Sequence, residues 1–123
     1  MVSRLKYEST EFHGEESAEA AIVRDDPAEL LYVPIAVSLY SDDLDWAQRL
    51  CVRLAAHPHF NVRGNAILGF AHLARRFGRL DRAAVEPLVL NALADSDAYV
   101  RGHADAAVDD LRQFLGWHLT PEA

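Results

Sequence analysis

Two stretches, HPHFNVRGNAILGFAHLARRFG at 57–78 and DSDAYVRGHADAAVDDLRQFLG at 95–116, align without a gap at an offset of 38 residues. Val62, Arg63 and Gly64 match Val100, Arg101 and Gly102. Ala66 matches Ala104, Leu73 matches Leu111 and Gly78 matches Gly116. The register continues upstream, pairing Leu50 with Leu88, Cys51 with Val89, Val52 with Leu90 and Ala56 with Ala94. One shared tripeptide can arise by chance. A register held across two helices and their turn marks an internal repeat. The repeating unit is a helix pair, 43–78 and then 82–116.

Periodicity and stop signals give the helices. Val62, Ala66, Phe70, Leu73 and Phe77 keep an amphipathic 3.6-residue spacing over 60–77, and Gly78 is the expected stop. Val100, Ala104, Val108 or Ala107, Leu111 and Leu115 repeat that pattern over 98–115, with Asp97 as cap and Gly116 as stop. Ser41-Asp42-Asp43 starts a helix that runs to Ala56, where His57-Pro58 ends it. Asp81 is placed to cap a helix over 82–94 that carries Pro87. Asp26-Pro27 starts a segment over 27–40 that Pro34 must kink or divide, and 15–24 forms a short acidic-started helix. Residues 1–14 show no helical period, and no strand alternation follows them. The expectation is an all-α fold, a short α-solenoid of about two and a half helical hairpins. Residues 1–24 serve as an N-terminal capping segment, 25–123 as the repeat domain, and Trp117-His118-Leu119 closes the far end.

The chain has 123 residues, enough for one core, with 25% charged residues and 50% hydrophobic ones. No apolar run reaches the roughly 20 residues needed to span a bilayer. The start, MVSRLK, lacks the apolar stretch of a signal peptide. The single cysteine, Cys51, excludes an intrachain disulfide and fits a cytoplasmic setting. The net charge of −7 is uneven: residues 1–45 hold 11 acids against 3 bases, and the remainder 8 against 9. Nucleic-acid binding calls for a basic face, so this acidity points instead to a basic protein partner.

The two-helix unit and its period of about 40 resemble the HEAT-repeat, armadillo-type class of α-solenoids. Pro87 sits where that family carries a kinking proline. Asp95 followed by Val100-Arg101 fits its turn pattern, while in the earlier unit Val62-Arg63 fits and His57 stands in place of the Asp. Within that class, several features resemble small bacterial HEAT-repeat immunity proteins of contact-dependent growth-inhibition and related polymorphic toxin systems. They are Trp46-Ala47-Gln48, the turn from His57 to Gly64, the run Gly69–Arg75, and Asp109-Asp110 before Phe114-Leu115-Gly116-Trp117. The resemblance implies a non-catalytic protein that binds and neutralises a toxin domain. The alternative is a general scaffold of the same fold with no toxin partner.

Candidate chemistry is sparse. His57-Pro58-His59 is a possible metal pair, but it is also an ordinary helix-terminal turn, and a metal needs three or four convergent ligands. His72 and His103 fall on helices of successive units and can share a face. Cys51 aligns with the apolar Val89 and is expected in the core. Arg75, Arg76, Arg79 and Arg82 form a basic run that a helix C-terminus explains. Two acidic groups remain as candidate partner contacts. Asp105, Asp109 and Asp110 form the first; Asp105 and Asp109 repel each other at i, i+4. Asp42, Asp43 and Asp45 form the second, at a helix start where acids are stabilising. Neither group has the nucleophile, oxyanion donors or Gly-rich loop of a catalytic site, so no catalytic residue, metal or cofactor is expected. The oligomeric state is not readable from the sequence.

Overall fold

The computed structural model describes residues 12–119. Among them are seven helical segments and no strand: α1 (Glu15–Arg24), α2 (Pro27–Leu30), α3 (Val33–Tyr40), α4 (Leu44–Leu54), α5 (Phe60–Phe77), α6 (Arg82–Leu93) and α7 (Ala98–Leu115). Most of the irregular segment expected over 1–14 lies outside the described residues.

Local sequence explains most boundaries. Asp26 Oδ1 accepts from the Ala28 N–H at 3.1 Å and Pro27 opens α2. Pro34 divides the expected 27–40 helix: it sits in the first turn of α3, where its missing N–H costs nothing. The helix over 43–56 stops at Leu54, two residues early, in a turn that leads to His57. Gly78 and Gly116 end α5 and α7 at φ 68° and 69°, a left-handed conformation that suits glycine. Asp81 precedes α6 but gives it no side-chain cap; its own N–H donates to Gln48 Oε1 at 2.7 Å.

The segments stack as a short helical solenoid. Helices α3, α5 and α7 lie side by side, with α5 between the other two, and α4 and α6 pack beneath them. The row is parallel, because its cross-links advance together. Asn65 Nδ2 donates to the Leu31 carbonyl and Arg76 Nη1 to the Ser38 carbonyl, both at 2.8 Å, between α5 and the α3 region. Tyr99 and Asp110 of α7 face Asn65 and Arg75 of α5. The core is continuous through the units and includes Leu50, Val62, Ile67, Phe70, Leu73, Val85, Val89, Val100 and Leu111. At Gly69, α5 approaches so closely that a Cβ would lie 2.8 Å from Cys51 Sγ and 3.4 Å from Ser38 Cβ.

Ion pairs tie the units at their turns. Arg63 grips Asp95 through two nitrogens at 2.8 and 2.7 Å, and its third donates to the Pro58 carbonyl at 2.8 Å. Arg101, its repeat partner, donates to the Asp95 carbonyl at 2.8 Å. At one end, Trp46 Nε1 donates to Glu19 at 3.0 Å and Arg53 pairs with the same carboxylate, fastening α1 to α4. At the other, Trp117 and Leu119 fold back and are buried, while His118 stays exposed.

Candidate functional site

The two acidic groups occupy different clefts. Asp42, Asp43 and Asp45 sit at the turn between α3 and α4, in a shallow cleft with Leu44, Phe77 and Arg79. Asp43 is committed to structure, because its Oδ1 accepts from the Trp46 N–H at 3.1 Å and caps α4. Asp42 is fully exposed and stands 3.7 Å from Arg76. The basic run at the end of α5 therefore faces this group and offsets part of its charge.

Asp105 and Asp109 lie on α7 beside Leu93, Val108 and Leu119, in a second cleft. Asp110 does not join them. It turns toward α5, where its carboxylate is 3.8 Å from Arg75. The 38-residue register explains where the pair stands. Asp105, Val108, Asp109 and Arg112 correspond to Ile67, Phe70, Ala71 and Ala74, all buried in α5. That stripe of α5 is covered by the following unit. On α7 no following unit exists among the described residues, and the stripe becomes the polar open end of the stack.

A third feature escaped the sequence reading. Phe60 and Tyr99 pack edge to face with centroids 5.7 Å apart, His59 stacks on Phe60, and His103 meets the Tyr99 ring at 4.5 Å. Phe60 and Tyr99 are each more than a third exposed. The Tyr99 hydroxyl donates to Asn65 Oδ1, which is itself buried. Gly64 makes this possible: a Cβ there would lie 2.9 Å from the Tyr99 ring. Gly102, its repeat partner, faces open space, so the close approach occurs at only one of these two matched glycines. The clue was the Gly64-Asn65 pair, a small residue beside an amide at a helix position that the next helix crosses.

His72 and His103 do share the groove between α5 and α7. Burial depresses the affinity of both for a proton, and Arg75 adds to the effect at His72, whose Nδ1 lies 2.7 Å from the guanidinium. The buried Nε2 of His103 has no hydrogen-bond partner among the described residues. The Cys51 thiol is fully buried and burial pushes its pKa up to about 12, as suits a core side chain. Among the described residues no three His, Cys, Asp or Glu side chains converge to hold a metal ion, and no helix is long and apolar enough to cross a membrane. Among the described residues the geometry offers two acidic clefts and one exposed aromatic cluster.

No protein-family model matches the sequence, and no curated protein sequence matches it significantly. The fold is similar to a chain in the crystal structure of a CDI complex from Cupriavidus taiwanensis LMG 19424. The TM-score is 0.70 and the identity 27%, over 82% of this chain and 89% of that one.

Proposed function

We propose that this chain is the immunity member of a contact-dependent growth-inhibition pair, and that it acts by binding a toxin domain and neutralising it, with no catalysis of its own. The observation that carries the reading is the likeness to a chain of a CDI complex, which spans most of both chains. The repeat period and the turn pattern around Arg63 and Asp95 support placing the fold in the HEAT class. On this reading the protein works in the cytoplasm, where an incoming toxin domain would act.

The finer part of the reading concerns charge. The partner is basic, and it meets the acidic surface, first the open end carrying Asp105 and Asp109 and then the acidic N-terminal third. Opposite charge steers encounter, so association slows as salt shortens the Debye length from about 10 Å at 0.1 M to about 3 Å at 1 M. The test is to express this chain with the toxin domain encoded beside its gene. Rescue of growth and a measurable complex are expected. A toxic domain that this chain neither binds nor neutralises would overturn the proposal. Reversing Asp105 and Asp109 to lysine then tests the contact face: unchanged affinity and unchanged on-rate would move the contact elsewhere and leave the immunity reading intact.

A further inference from the structure

The repeat allows the two inter-helix turns to be compared atom by atom. In the second turn, Asp95 Oδ1 accepts from the Asp97 N–H at 2.9 Å and Asp97 Oδ1 accepts from the Tyr99 N–H at 2.8 Å. In the first, His57 and His59 stand at the corresponding positions, and the same two bonds exist. His57 Nδ1 accepts from the His59 N–H at 3.0 Å and His59 Nδ1 from the Asn61 N–H at 3.2 Å. Two imidazole nitrogens thus replace two carboxylate oxygens. The rung between units is exchanged in the same way. Arg63 and Asp95 are joined across 32 residues, and so are Asp25 and His57, at 2.7 Å. There the acid comes from the earlier unit and the base from the turn.

This arrangement fixes the tautomer of both rings. An Nδ1 that accepts a backbone N–H carries no proton, so each neutral ring holds its hydrogen on Nε2, and at His57 that hydrogen points at Asp25. Protonating Nδ1 turns an acceptor into a donor aimed at another donor. The carboxylate turn has no such weakness near neutrality, since Arg63 holds Asp95 far below the ordinary carboxylate range, at about 2.

We propose that the His57-Pro58-His59 turn is a protonation-sensitive joint: a bare Nδ1 on each ring locks it, and a proton placed on His59 Nδ1 releases the first turn of α5 while the Asp95-Ser96-Asp97 turn stays closed. The charged groups around it set the sign. At His57 the Asp25 carboxylate offsets the charge gained on protonation. His59 packs on the neutral Phe60 ring and is the N-cap of α5, where the helix dipole opposes a cation. The nearest guanidinium on the turn, Arg63, is held on the Pro58 carbonyl and on Asp95, with Asp97 and Arg101 beyond it. Release therefore runs through His59.

A global melt does not isolate this effect, because burial of His72 and His103 makes overall stability depend on pH as well. Residue-resolved amide hydrogen exchange does. Protection factors for Asn61 and Tyr99, corrected for intrinsic exchange, should be followed from pH 7.5 to 5.0 in the intact chain. Asn61 protection should fall about fivefold, the size of one lost helix cap, while Tyr99 holds steady. In His59→Asp, which copies the second turn, the Asn61 dependence should vanish. Equal behaviour of Asn61 and Tyr99 in the parent protein would overturn the proposal, and so would a His59→Asp variant that keeps the parent's dependence. The parent comparison stands even if the variant folds poorly.

Discussion

Replacing Gly64 and Gly102 separately with alanine asks whether the repeat's equivalent positions do equivalent work. Both sit inside 18-residue helices, where glycine costs roughly 1 kcal/mol against alanine. At Gly102 the added methyl meets nothing within 4 Å, so the variant should collect that stabilisation, up to about 1 kcal/mol. At Gly64 the methyl would sit 2.9 Å from two carbons of the Tyr99 ring, which must move. Moving it strips the hydroxyl from Asn65 Oδ1 and leaves a buried amide oxygen unpaired, at a cost of about 1–3 kcal/mol. The edge contacts to Phe60 and His103 add about 0.5–1.5 kcal/mol each. Against the helix-propensity gain, Gly64→Ala should lose about 1–5 kcal/mol net. Urea unfolding at matched slope reads both variants, and their midpoints should separate on opposite sides of the parent. If both alanines stabilise the protein alike, the Tyr99 ring is not held against Gly64 and Asn65 as described.

The Asp95 carboxylate, held down to about 2 by Arg63, contributes stability that is complete above the unfolded value near 3.8 and disappears as pH falls through 2. An Asp95→Asn variant should lose stability at pH 7, by about 2 kcal/mol, and should match the parent near pH 2 if both remain folded there. Cys51 should resist a thiol reagent at pH 8 in the native protein and react at once in denaturant, and fast labelling under native conditions would contradict its burial. Asp43→Ala should cost about 1 kcal/mol through loss of the α4 cap, whereas Asp42→Ala, fully exposed, should be near neutral in the same unfolding assay.

The fold was legible because its signals were local and repeated. Gly78 and Gly116 supplied the left-handed stops, Asp26, Asp43 and Asp97 the side-chain caps, and Pro34 the break between α2 and α3. One cap differs where a tertiary contact decides. Asp81 has the right residue type and position for a cap, yet its side chain caps nothing and its N–H is taken by Gln48 from α4. The site was less legible. The sequence groups Asp105, Asp109 and Asp110 because they are close along the helix, but 100° per residue carries Asp110 round toward Arg75 and away from the other two. The aromatic cluster was missed because Phe60 and Tyr99 occupy different positions in the repeat, and a contact across units leaves no periodic trace.

The repeat also tells what Asp105 and Asp109 displace, and this yields the strongest test of the open end. A helix gains nothing from two carboxylates at i, i+4, which repel by a few tenths of a kcal/mol. The same stripe on α5 carries Ile67 and Ala71 and is buried by its neighbour. An apolar stripe at the end of a stack invites another copy, because unsatisfied repeat faces bury one another. The acids therefore serve the exposed face of α7 and not the helix itself. Restoring the α5 stripe with Asp105→Ile and Asp109→Ala should leave the monomer as stable as before or slightly more so. It should also give larger assemblies than the parent at equal concentration in sedimentation velocity. Identical sedimentation of variant and parent over a wide concentration range would show that the acids do not keep this end apart, and would leave contact with a basic partner as the reason for their place on the surface.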